Sequence, residues 1–293
     1  MKKPIFTGSG VALVTPFDEK CVNYKKLEEL LEFQLKNKTD AIIICGTTGE
    51  TSAMDEEEQK SVLKFCIEKM RGRIKMIAGT GSNNTDKTIR LTKYAESVGY
   101  DAVLVVTPYY NKTTQKGLCM HYGQIAESVN IPIILYNVPS RTGISFSLET
   151  LKALDEKYDN IIGIKEASGD AAFAAKIKAE TGLVVYSGND NIAIPIMAVG
   201  GSGVISVVAN VFPFEVHDFC KDFEDGKQNI ACEKFLKMLD VMDAMFLEVN
   251  PIPVKTAMNI MGFDIGNLRL PLCEMGEESS EKLKKALNNY RNR

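Results

Sequence analysis

Eight short, strongly apolar runs punctuate the chain, at residues 10–14, 41–45, 75–78, 102–106, 133–136, 161–164, 183–186 and 203–207. Several are near-continuous in Ile, Val and Leu rather than alternating with polar residues, which marks parallel strands covered on both faces. Most gaps between them carry apolar residues at helical spacing. The stretch 24–36 places Leu27, Leu30, Leu31 and Leu35 on one face, and 56–70 does the same with Val62, Leu63, Cys66, Ile67 and Met70. In 86–98 the face is Ile89, Leu91, Ala95 and Val98, and in 114–129 it is Leu118, Tyr122, Ile125, Ala126 and Val129. Segments 147–157 and 171–181 continue the alternation. Eight strands alternating with helices predict an α/β fold, either a closed (β/α)8 TIM barrel or an open doubly wound sheet. The count of eight and the even spacing favour the barrel.

After about residue 225 the strand pattern stops. Residues 228–247 read as one long helix carrying Phe235, Leu236, Leu239, Met242, Met245 and Phe246. Pro251 and Pro253 interrupt, 254–261 reads as helix with Gly262 ending it, and 279–290 reads as a closing helix. Ser279 is its expected N-cap, with Glu281 and Lys285 at i, i+4 spacing. The expected organisation is therefore a barrel over 1–225 followed by an all-helical appendage over 226–293.

Composition narrows the classes. An apolar content of 45% excludes disorder as a description of the whole chain, and a net charge of −3 without basic clusters points away from nucleic acid and from a membrane surface. The longest apolar runs fall far short of the roughly 20 residues of a membrane span. Lys2 and Lys3 have no apolar stretch behind them, so no secretory signal is read. Seven cysteines form no CxxC, which suggests reduced thiols and a cytoplasmic setting rather than a disulfide framework or a zinc ribbon. Only His121 and His217 are present, which excludes a histidine-rich metal site, and no Ser-His-Asp arrangement can be assembled.

Barrel enzymes work at the C-terminal ends of their strands. The segments that follow the apolar runs there are Gly46-Thr47-Thr48-Gly49-Glu50, Gly79-Thr80-Gly81, Thr107-Pro108-Tyr109-Tyr110, Asn137-Val138-Pro139-Ser140-Arg141, Lys165-Glu166 and Gly188-Asn189-Asp190. Lys165 is the sharpest feature. It directly follows a fully apolar strand, where burial disfavours the ammonium and makes a neutral amine accessible, the form that condenses with a carbonyl. It could equally snorkel at the strand end or pair with Glu166. Tyr136 could exchange protons nearby or be an aromatic core residue. Arg141 suits bidentate capture of a carboxylate, or is a loop charge. The Gly-Thr-Thr-Gly segment offers N–H groups and two hydroxyls to an anion, or is a capped tight turn. Gly79-x-Gly81 lacks the third glycine of a dinucleotide fingerprint. Gly200-Gly201-Ser202-Gly203 precedes its strand and is read as a turn.

Taken in order, Gly46-Thr47-Thr48-Gly49-Glu50, Pro108-Tyr109-Tyr110, Tyr136-Asn137-Val138-Pro139-Ser140-Arg141-Thr142-Gly143 and Gly163-Ile164-Lys165-Glu166 lie on successive strands. Their combination resembles the pyruvate-dependent class I aldolase and lyase family, and within it the dihydrodipicolinate synthases, over essentially the whole chain. The resemblance implies that Lys165 forms a Schiff base with pyruvate. The resulting enamine then attacks L-aspartate 4-semialdehyde, giving 4-hydroxy-tetrahydrodipicolinate in lysine and diaminopimelate biosynthesis. It implies Tyr136 as proton donor and acceptor, with Thr48 and Tyr110 as relay partners and Thr47 adjacent. Thr48, the backbone at Ile205, and Gly188 are implied as substrate contacts, and Arg141 as the carboxylate binder for the semialdehyde. No metal or organic cofactor is implied. In the family the Tyr110 equivalent is lent by a neighbouring subunit, so the resemblance implies a homo-oligomer, a tetramer built as a dimer of dimers or a dimer.

Sister enzymes such as N-acetylneuraminate lyase and 2-keto-3-deoxygluconate aldolase share the lysine and tyrosine. Arg141 and the paired threonines favour the synthase. A catalytically inactive barrel acting as a binding protein is the non-enzymatic alternative, and the intact set Lys165, Tyr136, Thr48 and Tyr110 argues against it. Lysine-sensitive relatives commonly carry histidines in the helix after the Gly-Thr-Thr-Gly-Glu loop and an acidic residue shortly after the Asn83 equivalent. Here Glu56, Gln59 and Lys87 occupy those places, while Asn83 and Tyr109 are retained. Weak or absent inhibition by lysine is expected, because a cation at Lys87 repels the effector's amine.

Overall fold

The computed structural model describes residues 2–19 and 21–292. Hydrogen bonding links eight strands in chain order into a closed barrel. They are β1 (Gly8–Ala12), β2 (Ala41–Ile44), β3 (Lys75–Gly79), β4 (Ala102–Val106), β5 (Ile133–Asn137), β6 (Ile161–Glu166), β7 (Val184–Ser187) and β8 (Gly203–Ser206). The helices are α1 (Tyr24–Lys36), α2 (Glu56–Met70), α3 (Thr85–Val98), α4 (Gln115–Ser128), α5 (Pro139–Thr142), α6 (Leu148–Lys157), α7 (Ala171–Glu180), α8 (Ala193–Ala198), α9 (Pro213–Glu224), α10 (Gln228–Ala244), α11 (Ile252–Ile260) and α12 (Glu277–Arg291). Among the described residues no helix is long and apolar enough to cross a membrane.

Every expected strand is present. β6 runs on through Lys165 and Glu166, because its ladder continues there: Lys165 pairs with Tyr136 of β5 and Tyr186 of β7. A polar side chain does not end a ladder whose backbone partners persist. Gly163 lies within this strand because a Cβ there would approach the Val184 carbonyl oxygen to 2.5 Å. β1 starts two residues before the apolar run that announces it.

Helices α1, α2, α3, α4, α6 and α7 start where side-chain oxygens satisfy the first free N–H groups. Asn23, Asp55, Asn84, Thr114, Ser147 and Asp170 each accept from the backbone N–H three residues on. The closing helix differs from expectation. It starts at Glu277 after Gly276, so Ser279 lies inside it, and Glu281 pairs with Lys284 at 2.6 Å. Glu277 and Glu278 complement the positive end of this helix, which removes the need for a serine cap. Helices α5, α8 and α9 were not anticipated. The first two are too short for a helical period to register, and α9 opens on Pro213 with Val216, Phe219 and Cys220 as its buried face.

Contacts divide the chain into two compact units, residues 1–7 with 75–205 and residues 8–74 with 206–293. In the first, Phe6 stacks on Tyr186 with ring centroids 4.5 Å apart, and the Tyr186 hydroxyl donates to the Phe6 carbonyl at 2.8 Å. In the second, Asn210 donates to the Ala12 carbonyl and accepts from the Val14 N–H, at 2.9 and 3.0 Å. The C-terminal helices belong to this second unit, where Leu283 and Leu287 of α12 are buried.

Candidate active site

Within the first unit, the register of β5 and β6 sets Tyr136 beside Lys165 and Asn137 beside Glu166. Successive strand residues face opposite ways, so each pair occupies its own face. Lys165 is 5% exposed and its Nζ lies 4.5 Å from the Tyr136 ring centroid. Glu166 does not serve as its counter-ion. One Glu166 oxygen accepts from Asn137 Nδ2 at 2.8 Å and the other from the Ser168 N–H at 2.6 Å. Burial pushes the Glu166 carboxyl upward, and these donors oppose the shift. Asn137 also accepts from the Phe146 N–H at 3.3 Å, so the pair ties down the segments after both strands.

Arg141 is exposed on α5, a single helical turn begun by Pro139 and closed by Gly143 at φ 69°. Thr142 anchors that turn, receiving a hydrogen bond from Thr107 at 3.1 Å and donating to the Ile144 carbonyl at 2.9 Å. Tyr110 is 92% exposed and held at φ 68°, in a loop pinned by Asn111, which donates to the Asn83 carbonyl at 2.9 Å. A non-glycine residue in this region costs on the order of 1 kcal/mol, which the loop's bonds must offset. Gly188 donates its N–H to the Glu166 carbonyl at 2.7 Å, and a Cβ there would meet the Ala167 methyl at 2.4 Å. Ile205 lies in β8 with its side chain buried. Lys165, Tyr136, Arg141, Tyr110, Gly188 and Ile205 thus belong to one unit.

Thr47 and Thr48 belong to the other, in the loop after β2. Cys45 and Glu50 bracket this loop, both at positive φ (57° and 56°). Thr15 Oγ1 donates to the Gly49 carbonyl at 2.8 Å, and Asn250 Nδ2 donates to Thr48 Oγ1 at 2.9 Å. Buried Glu50 accepts from Lys255 Nζ at 2.8 Å through one oxygen and from the Arg269 N–H at 2.9 Å through the other. Lys255 also donates to the carbonyls of Thr15 and Asn267, at 3.0 and 2.8 Å. Burial lowers the Lys255 ammonium from its ordinary range, and Glu50 opposes that shift.

Asn250 and Lys255 escaped the sequence reading, while Glu50, Asn137 and Glu166 stood in its motifs without the bonds they make here. A lysine inside the apolar run of α11 was the available signal, the same one that singled out Lys165.

A sequence model of the Dihydrodipicolinate synthetase family matches residues 5–290. A 4-hydroxy-tetrahydrodipicolinate synthase of Clostridium tetani is 55% identical over 288 residues, 98% of each chain. The crystal structure of dihydrodipicolinate synthase from Aquifex aeolicus is 43% identical, with a TM-score of 0.96 and 98% of both chains covered. A DHDPS from Cyanidioschyzon merolae, solved with lysine bound, is 35% identical with a TM-score of 0.94 over 99% of both chains. The chain belongs to the dihydrodipicolinate synthetase family.

Proposed function

We propose that this chain is a Schiff-base-forming lyase, a 4-hydroxy-tetrahydrodipicolinate synthase acting in lysine and diaminopimelate biosynthesis. The carrying observation is the buried Lys165 amine set against Tyr136 across β5 and β6 in a chain of this family. Lys165 Nζ attacks C2 of pyruvate and water leaves, forming an imine. Loss of a methyl proton gives an enamine, whose carbon attacks the aldehyde of L-aspartate 4-semialdehyde while the aldehyde oxygen takes up a proton. The amine of that substrate then adds to the imine carbon and expels Lys165, closing the ring.

Tyr136 is the proposed proton donor and acceptor, with Thr48 and Tyr110 as relay partners and Thr47 adjacent. Hydroxyls carry these protons without histidine. Thr48 and the Ile205 backbone hold pyruvate, Gly188 is a further substrate contact, and Arg141 grips the semialdehyde carboxylate through its planar fork. No cofactor enters these steps. The exposed, conformationally fixed Tyr110 suits a residue lent to a second copy, in a homodimer or a tetramer of two dimers. The setting is cytoplasmic, with no nucleic-acid or membrane partner. We read residues 1–225 as the catalytic barrel and 226–293 as its helical region.

The test is borohydride reduction with pyruvate followed by mass spectrometry, and a coupled assay with aspartate semialdehyde run against N-acetylneuraminate and 2-keto-3-deoxygluconate. An adduct at Lys165 and turnover of the semialdehyde are expected. No adduct would sink the lyase reading, and preference for either sugar acid would move the chain to a sister activity.

A further inference from the structure

Thr48 enters the proposed reaction through its hydroxyl, and the direction of that hydroxyl is set from a distant part of the chain. Asn250, two residues before α11, donates through Nδ2 to Thr48 Oγ1 at 2.9 Å. An amide nitrogen has no lone pair to offer, so this bond runs one way only. Thr48 Oγ1 accepts, which leaves its own proton available to another acceptor. Thr48 is 2% and Asn250 6% exposed, so bulk water competes little for either group.

The frame around this bond is held from both sides. Five residues past Asn250, Lys255 fixes Glu50 at the end of the loop, while Thr15 fixes the Gly49 carbonyl. The stretch 250–255 therefore carries both the anchor of the loop and the donor that orients its hydroxyl.

We infer that Asn250 is a positioning residue of the pyruvate site: by donating to Thr48 Oγ1, it biases the Thr48 hydroxyl to donate to the pyruvate carboxylate as pyruvate binds. This rests on the reading of Thr48 as a pyruvate contact. The amide occupies one lone pair of a hydroxyl that could donate or accept and so favours donation to an anion while pyruvate binds, and charge-assisted bonds of this kind are the stronger ones.

The test titrates pyruvate against borohydride trapping on the full chain, which reads binding without needing turnover. Asn250→Asp nearly preserves shape but replaces the donor by an acceptor that captures the Thr48 proton. Asn250→Ala leaves the hydroxyl free to rotate. Half-saturating pyruvate is expected to rise by about tenfold to a hundredfold in the Asp variant and by less in the Ala variant. A role confined to filling space gives the reverse order, because Ala leaves a cavity and Asp does not. That order overturns the inference. Adding the neutral Asn250→Leu to a Thr48→Val background, where no hydroxyl remains to orient, isolates the bond from any charge. No further rise is expected, whereas a rise as large as Asn250→Leu gives alone overturns the inference.

Should the Asp variant not fold, Asn250→Leu refills the volume without a donor. A raised half-saturation there supports the inference, and the wild-type value overturns it. Wild-type protein that traps no pyruvate at any concentration refutes the pyruvate reading itself, a different result from any of these.

Discussion

Lys165 and Glu166 are neighbours in sequence but act on opposite faces of β6. Lys165 meets the ring of Tyr136, while Glu166 is engaged by Asn137 and the Ser168 N–H. A strand's period of two makes this separation, and it frees the lysine for chemistry. Tyr136→Phe keeps the ring against the amine but removes the hydroxyl. It is expected to lower kcat by about 10²- to 10⁴-fold in the coupled assay, with little change in thermal stability. His121 offers a second residue-scale test. It is buried, its Nδ1 shares a hydrogen with Thr85 Oγ1 at 2.9 Å, and burial pushes its pKa down to about 4. Below pH 6.5 the unfolded chain takes up a proton that the native state refuses until about pH 4. Stability from this group is therefore intact above pH 6.5 and is lost as pH falls through that window, by on the order of 3 kcal/mol. Urea unfolding at several pH values should show a flatter acid limb in His121→Gln. An unchanged slope would contradict the assignment.

At the scale of elements, α11 holds the loop after β2 through a buried ion pair, Lys255 with Glu50, assisted by the Arg269 N–H. Removing one partner strands the other charge in the interior, at a cost of about 3–5 kcal/mol. Lys255→Met should therefore lower the denaturant midpoint strongly. Glu50→Gln combined with Lys255→Met should recover much of the loss, because no charge is left unpaired. Equal losses in the single and double variants would show that packing, not charge, dominates there. Much at this scale was legible in sequence: the eight strands and the amphipathic helices between them. The start of α12 was not, since Ser279 offered a cap in the right place while the acidic residues at 277 and 278 allowed an earlier beginning. Nor was the end of β6, which is decided by partners on β5 and β7 rather than by the polarity of Lys165.

For the whole molecule, the exposure of Tyr110 bears on assembly. If it completes a second copy's site, Tyr110→Phe and Lys165→Ala proteins, each inactive, should regain activity on mixing and subunit exchange. A mixed pair then contains one site with both residues intact. Exchange without recovery would confine Tyr110 to its own chain. Regulation belongs to the same scale. Lys87 lies in the first turn of α3, where its N–H caps onto Asn84, and Glu56 opens α2. The relative from Cyanidioschyzon merolae was solved with lysine bound. Here a cation at 87 should make lysine a poor effector, and half-inhibition below a millimolar would refute that expectation.

The sequence by itself determined the eight strands, the order of the motifs behind them, and the chemical types available: one lysine after an apolar run, hydroxyls, and almost no histidine. These properties are local, because side-chain period and turn chemistry are written within a few residues. Tertiary structure alone decided the partners. Thr48 meets Asn250 across 202 residues and Glu50 meets Lys255 across 205, while Lys165 is turned towards Tyr136 by strand register. Such pairings arise from chain closure and packing, which leave no pattern in any single stretch of sequence.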